Sequence, residues 1–310
     1  MAQTSIEILA PAKLNLRLRV EDRRTDGYHL LKMLNCCVSI FDNLKLSLAE
    51  RSSLSLTGPS SEGIGAGSDN LCIKALNEFS SHFGFHVGVK IDLDKQIPHG
   101  TGLAGGSSDA AAVLRGLRIL YKHELVGVDK LDEELVKIAT RIGADVPYHM
   151  SGGLALIEGI GEIVSPISAP AEFAKQEVFV AFPSIKLSTV AVYDQFRCSN
   201  FILKPDLAFP VLSRDMDYSV FWEAICRSTE NDLEEAILRL APSLLEIIGQ
   251  LREERELTVQ FTGSGSAFYL LPNKGKLSPN TLVKVEKFLA QSQVRLIRAL
   301  FLPNPGYRVE

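Results

Sequence analysis

The stretch PHGTGLAGGSSDAAAVLRGL, residues 98–117, decides the reading of this chain: four glycines fall within the seven residues 100–106, two serines follow, and an alanine-rich helical run begins. Without a Cβ, Gly100, Gly102, Gly105 and Gly106 can take positive φ and bring main-chain N–H groups close to a ligand. The unpaired N–H groups and partial positive charge of a helix start favour phosphate at such a place. Ser107 and Ser108 add hydroxyl donors, and Asp109 falls in the first helical turn, where a carboxylate suits the dipole. The stretch is read first as a site for a phosphate-bearing ligand.

Other readings of the same glycines fit less well. Gly100-x-Gly102-x-x-Gly105 satisfies the dinucleotide fingerprint, which should follow a strand at once and be trailed about 20 residues later by an acid ending a second strand. Here Pro98 separates the loop from the candidate strand at 87–93, and the acid near the required distance, Glu124, sits in the polar segment YKHEL. In the Walker pattern Gly106 occupies the position that must be lysine. A plain strand-to-helix connector remains as the bland alternative, but four glycines in seven residues exceed what a connector needs.

At 310 residues the chain exceeds the length at which single cores stop growing, so two domains are expected. A hydrophobic content of 46% with 23% charge describes an ordinary globular protein. The net charge of −4 and pI near 5.9 argue against a general nucleic-acid binder, while leaving recognition of a nucleotide as a small molecule open. Cys36, Cys37, Cys72, Cys198 and Cys226 have no CxxC spacing, which points to reduced, mostly buried thiols rather than a zinc or redox site. The start MAQTSIEILAPAK lacks the features of a signal or transit peptide, and no uncharged apolar run approaches the roughly 18 residues of a membrane span. A cytoplasmic protein, or the mature form of an organelle enzyme, is the expectation.

Periodicity supplies a coarse map. Strands are predicted at 13–20, 29–40, 43–48 and 87–93, and helices at 70–83, 107–121 and 132–142, the last stopped by Gly143. Small residues and two prolines at 165–174 mark a linker. Beyond it come a strand at 177–182, an irregular stretch at 199–217, helices at 218–227, 232–240, 243–255 and 281–291, and strands at 257–261, 266–271 and 294–302. Strands mixed with helices in each half, without regular βαβ alternation, predict two α+β domains.

Further motifs are individually weak. In PAKLNL, Lys13 and Asn15 share one face of a strand, which on its own is most simply a solvated face. RTDGYH offers a turn followed by Tyr28 and His29, able to stack on a base and hydrogen-bond it, or simply to cap a core. GADVP holds Asp145 where an acid is usually a turn former or N-cap. TGSGS, residues 262–266, reads as a tight turn or a second polar backbone surface, and NDLE, residues 231–234, as an N-cap with glutamate at N3. His82, His86 and His149 show no metal spacing and are read as packing or surface residues.

Together, in this order, PAKLNL, RTDGYH, PHGTGLAGGSSDAA, GADVP, NDLE and TGSGS resemble the GHMP kinase superfamily, and within it the family of kinases that act on 4-diphosphocytidyl-2-C-methyl-D-erythritol. The resemblance runs from Pro11 to Ser266. It implies an α+β, two-domain GHMP kinase fold: a ribosomal protein S5 domain 2-like N-terminal ATP-binding domain, 1–165, and a ferredoxin-like C-terminal domain, 166–310. It implies transfer of the ATP γ-phosphoryl group to the 2-hydroxyl of the cytidylated methylerythritol, in the non-mevalonate route to isoprenoid precursors. ATP is the expected cosubstrate, with Mg2+ held mainly by ATP oxygens and no protein metal ligand named.

The resemblance also assigns residues. Pro98, Gly100, Gly102, Leu103, Ala104, Gly105, Gly106, Ser107 and Ser108 would cradle the phosphates, and Lys13 with Asp145 would form the catalytic pair. Asp145 would orient or accept the hydroxyl proton; a carboxylate of pKa about 4 is a poor base, but a loose phosphoryl-transfer transition state needs positioning and charge stabilisation more than deprotonation. His29 would hydrogen-bond the cytosine between Tyr28 and Tyr193, Asn15 would hold substrate near Lys13, and Thr189, Gly263 and Ser264 would border substrate and phosphates. One departure stands out: Ala104 occupies a position where the family usually has glycine, and alanine resists positive φ. Rival readings are another GHMP small-molecule kinase, such as a mevalonate or homoserine kinase, from which DGYH discriminates, and a silent GHMP-fold binding protein, which would not need Lys13 and Asp145. A nicotinamide-dependent oxidoreductase is disfavoured by the sequence around the glycines.

Overall fold

The computed structural model describes residues 4–23, 25, 29–198 and 208–304. The first half runs β1 (Ser5–Arg23), β2 (His29–Leu48), β3 (Ser53–Thr57), α1 (Leu71–Phe83), β4 (Val89–Asp94), α2 (Gly105–Leu120), α3 (Leu131–Ile142), α4 (Val146–Ser151), β5 (Leu154–Gly159) and β6 (Ile163–Pro166). After a 3-10 turn at Ala171–Lys175 come β7 (Glu177–Phe182), α5 (Thr189–Cys198), α6 (Tyr218–Ser228), β8 (Glu230–Asn231), α7 (Glu234–Leu240), α8 (Ser243–Arg252), β9 (Leu257–Phe261), β10 (Phe268–Pro272), α9 (Pro279–Gln291) and β11 (Arg295–Leu302).

Strands β1 and β2 form a long antiparallel ribbon, in register from Ser5 opposite Ser47 to Arg23 opposite His29. Between Asn15 and Arg17 the register slips by one residue, because Leu16 is an extra residue with no partner on β2. A one-residue slip exchanges the faces of everything beyond it. Lys13 and Asn15 therefore share their face with Leu18 and Val20, opposite Cys37, Asn35, Met33 and Leu31. Arg17, which unbroken alternation would set beside Lys13, turns the other way: its guanidinium lies 4.4 Å from the centre of the Phe209 ring and 3.5 Å from Glu230.

The strand path is β3-β4-β2-β11-β7-β10-β9, with β1 and β5 also paired to β2. β11 is the joint: Phe301 and Leu302 pair with Val38 and Cys37 of β2, while residues 295–300 pair with β7. One core packs α1, α2 and α3 onto β1, β2 and β4. Two more lie on opposite faces of the second half's strands, and β7 feeds both, Phe179 and Ala181 into one, Val178, Val180 and Phe182 into the other. That double burial is why residues 178–182 form a continuous apolar run.

Several expectations change. The strands predicted at 29–40 and 43–48 are one strand, because Phe41 and Asp42 keep pairing with β1. The linker predicted at 165–174 instead carries the end of β6 and part of the 3-10 turn, whose Phe173 is buried and stacks on Phe301 at 4.7 Å. Within the irregular stretch predicted at 199–217, residues 199–207 lie outside the described residues. Elements β3, β5, β6, β8, α4 and α5 lie where periodicity predicts no element. Among the described residues no helix is long and apolar enough to cross a membrane.

Candidate active site

The glycine-rich loop leaves β4 through a buried charge cluster. Lys95 is bonded to both Asp42 and Asp109, the latter at 2.6 Å, and Asp42 also accepts the N–H groups of Gln96 and Ile97 at 2.6 and 2.8 Å. Burial opposes the Lys95 charge, yet the two carboxylates outweigh it and hold the ammonium above its ordinary value. Asp109 is thus not the first-turn carboxylate the sequence reading made it: it lies past the first turn of α2, buried against Lys95. Its burial, reinforced by Asp42 and opposed by Lys95, pushes its pKa up to about 8.

The loop then climbs with positive φ at Gly100 (+71°) and Gly102 (+83°), and α2 opens after Ala104 with no side-chain cap. Its first N–H groups are left for a ligand or water. Ala104 adopts the left-handed conformation after all, with φ 56° and ψ 33°. The expectation that alanine would resist this is corrected: Ala104 takes it, at a cost of about 1–2 kcal/mol. Gly102 rests against the 262–266 turn so closely that a Cβ would stand 2.1 Å from the Thr262 carbonyl oxygen.

Lys13 is held by the same construction. Its N–H donates to the Leu103 carbonyl at 3.1 Å, its ammonium to Asn15 Oδ1. Asn15 in turn donates to Asn35 Oδ1 at 2.7 Å, and its main-chain N–H to Thr262 Oγ1 at 3.0 Å. Burial lowers the Lys13 pKa, with Asp145 and Cys37 acting in the opposite direction. Asp145 occupies the N-cap position of α4, but its side chain makes no capping bond. The ordinary role of an acid in that turn is therefore unfilled, and the carboxylate lines the cavity that Lys13 also lines.

That cavity has a volume of about 590 Å³. Lys13, Asp145 and residues 98–107 line it together with His29 and Tyr193, whose rings stack with centres 5.1 Å apart. Residues 70–155 match the model of the GHMP kinases N terminal domain. A 4-diphosphocytidyl-2-C-methyl-D-erythritol kinase of Clostridium kluyveri is 37% identical over 262 residues, 84% of this chain and 89% of the relative; one of Caldicellulosiruptor saccharolyticus is 36% identical over 86% and 88%. The chain belongs to the 4-diphosphocytidyl-2-C-methyl-D-erythritol kinase family. A crystal structure titled for 4-(cytidine 5'-diphospho)-2C-methyl-D-erythritol kinase superposes with a TM-score of 0.71 at 35% identity, covering 95% of this chain and 98% of that one. A homoserine kinase of Cytophaga hutchinsonii, at 17% identity and a TM-score of 0.70, shares the GHMP kinase fold.

For a 4-diphosphocytidyl-2-C-methyl-D-erythritol kinase, the structure gathers most of the residues singled out from sequence. Asn15, His29, Pro98, Gly100, Gly102, Leu103, Ala104, Gly105, Gly106, Ser107, Thr189, Tyr193, Gly263 and Ser264 all line the cavity with Lys13 and Asp145. Ser108 does not: the helix turns its hydroxyl away from Ser107 into the core, where it is fully buried and has no hydrogen-bond partner among the described residues. Tyr28 lies outside the described residues. His149, read as a packing or surface residue, is fully buried, and burial, aided by Lys13 and Arg115 and opposed by Asp145, pushes its pKa down to about 3.

Sequence reasoning missed the apolar wall of Leu18, Leu31 and Met33, which follows from the register slip at Leu16. It also missed the reach of Asn231. That side chain accepts from Leu233 N at 2.9 Å, as a cap would, but donates to the carbonyls of Phe261 and Gly263 at 3.1 and 2.8 Å, tying NDLE to the 262–266 turn. Glu234, expected to complete the cap, pairs with Arg252 instead.

Proposed function

We propose that the glycine-rich loop holds the phosphates of ATP while Lys13 and Asp145 flank the γ-phosphorus as it passes to the 2-hydroxyl of 4-diphosphocytidyl-2-C-methyl-D-erythritol, a step of the non-mevalonate route to isoprenoid precursors. The observation that carries this reading is that Lys13, Asp145 and the loop border one cavity with the His29–Tyr193 pair. A second cavity of about 510 Å³ shares Leu71, His99, Gly105 and Gly106 with the first and continues to residues 63–70. Its position suits the nucleoside of ATP, with the phosphates running over the loop into the first cavity.

In this reading Asp145 accepts a hydrogen bond from the acceptor hydroxyl and orients its oxygen at the γ-phosphorus. Lys13 keeps Asp145 ionised and offsets charge on the transferring phosphoryl group, the two requirements of a loose transition state. Asn15, pinned between Lys13, Asn35 and Thr262, fixes where that ammonium points. Pro98 through Ser107 supply main-chain and hydroxyl donors, and Thr189, Gly263 and Ser264 close the substrate side. His29 would hydrogen-bond cytosine and Tyr193 would stack on it; the base then takes the Tyr193 face that His29 covers in this structure. Mg2+ is assigned mainly to phosphate oxygens and water, where it would neutralise phosphate charge. Both reactants are highly charged and water-borne, and we assign the reaction to the cytoplasm.

ADP release measured with a panel of acceptors, the cytidylated methylerythritol, mevalonate and homoserine, tests the reading, with NADH binding as a control. Turnover with the first alone is expected. Comparable turnover with mevalonate or homoserine would reject the acceptor assignment.

A further inference from the structure

The loop between β7 and α5 is fixed to the 262–266 turn at both ends: Ser266 Oγ donates to the Ile185 carbonyl, and Thr189 Oγ1 and Ser264 Oγ are 2.9 Å apart. Between those two ties Lys186 extends its side chain across to the glycine-rich loop, where its ammonium lies 3.1 Å from His99 Nε2. An ammonium only donates, so Nε2 is the acceptor and carries no proton. Burial, Lys186 and Lys95 disfavour a proton on that ring and outweigh a hydrogen bond to the Glu62 main chain, so the His99 pKa is held below its ordinary value.

His99 is one of the four residues common to the two cavities. A polyphosphate running from the nucleoside cavity to Lys13 and Asp145 must pass this junction. Lys95, buried beneath the loop, is already bonded to two carboxylates and has little charge to offer. Lys186 is bonded only to a neutral imidazole in its described contacts and sits on an exposed, rotatable stem. Exchanging a neutral nitrogen for an anionic oxygen strengthens its hydrogen bond.

We infer that Lys186 is a phosphate-binding residue of the ATP site, contributed from the second half of the chain: its ammonium exchanges His99 Nε2 for an oxygen of a non-transferred phosphate of bound ATP, to which it donates. The inference rests on the proposed path of ATP through the two cavities. It adds a cation that neither PAKLNL nor the glycine-rich motif contains.

The test compares wild type, Lys186→Met and Lys186→Arg for direct binding of ATP and for steady-state kinetics. Lys186→Met keeps the stem and removes the charge; it should raise the Kd and KM for ATP by about tenfold, the scale of one hydrogen bond to a charged group, while the KM for the acceptor stays within about twofold of wild type. Lys186→Arg should restore most of the ATP affinity, which a merely structural role for the lysine stem would not explain. ATP affinity unchanged in Lys186→Met, or lost equally for both substrates, would overturn the inference while leaving the kinase reading in place. Failure of wild type itself to bind ATP saturably would overturn both.

Discussion

Gly102 and Thr262 interlock across the molecule: the space a Gly102 Cβ would need is taken by the Thr262 carbonyl oxygen, 2.1 Å from its ideal position. Thr262 Oγ1 meanwhile accepts the N–H of Asn15, so one residue of the second half braces both the glycine-rich loop and the strand bearing Lys13. Together with the bond from Lys13 N–H to the Leu103 carbonyl, this contact fixes the loop relative to the lysine.

Gly102→Ala must either move Thr262 or abandon φ +83°. A loss of about 2 kcal/mol or more of stability is expected, from strain plus the clash, together with at least about tenfold weaker ATP binding. Urea denaturation and ATP titration measure the two; wild-type values in both would show that the interlock is not needed.

Ala104→Gly removes the left-handed strain of an alanine, about 1–2 kcal/mol, but frees the unfolded chain by a comparable amount. Thermal stability is expected to stay within a few degrees of wild type, with ATP affinity unchanged. A large fall in ATP affinity would mean that the Ala104 methyl itself supports the phosphate site.

His29→Ala removes both a hydrogen-bonding ring and a stacking partner of Tyr193. The KM for the cytidylated acceptor is expected to rise about tenfold or more, since base recognition by stacking and hydrogen bonding is worth about 1–3 kcal/mol. The KM for ATP should change little. An equal loss for both substrates would count against base recognition.

Asp109 gives the stability a defined pH dependence. Its pKa is raised from 3.8 to about 8 in the fold, so between those values the folded protein holds a proton that the unfolded chain has released. Stability then falls as pH rises through that window and levels off above it. Asp109→Asn keeps the shape of the protonated acid and leaves Lys95 paired with Asp42. It should be increasingly more stable than wild type from pH 4 towards pH 8, by at least about 1 kcal/mol at the upper end. A gap that does not widen with pH would show that Asp109 is ionised throughout.

Much of the fold was legible because its elements carry clean periods: residues 177–182 and 257–261 match β7 and β9 at both ends. The TVAVY start of α5 hid because its apolar alternation mimics a strand, although Val192 and Phe196, four apart, are both buried as a helix face requires. At the site, the glycine pattern and the Lys13–Asn15 spacing could be read locally. The apolar wall could not, since an extra residue at Leu16 leaves no mark in an otherwise regular alternation. The pairing of Asp42, Lys95 and Asp109 could not be read locally either: they lie far apart in sequence, and only the fold brings them together in the dry space beneath the loop.

The central claim is that Asp145 and Lys13 act on the transferring phosphoryl group. Single-turnover transfer from radiolabelled ATP to the cytidylated acceptor, with wild type and Asp145→Asn at saturating concentrations of both substrates, tests it most directly. The account expects transfer slowed by on the order of a hundredfold or more, with Kd values for ATP and acceptor within about threefold of wild type. Transfer by Asp145→Asn at a rate close to wild type would contradict it.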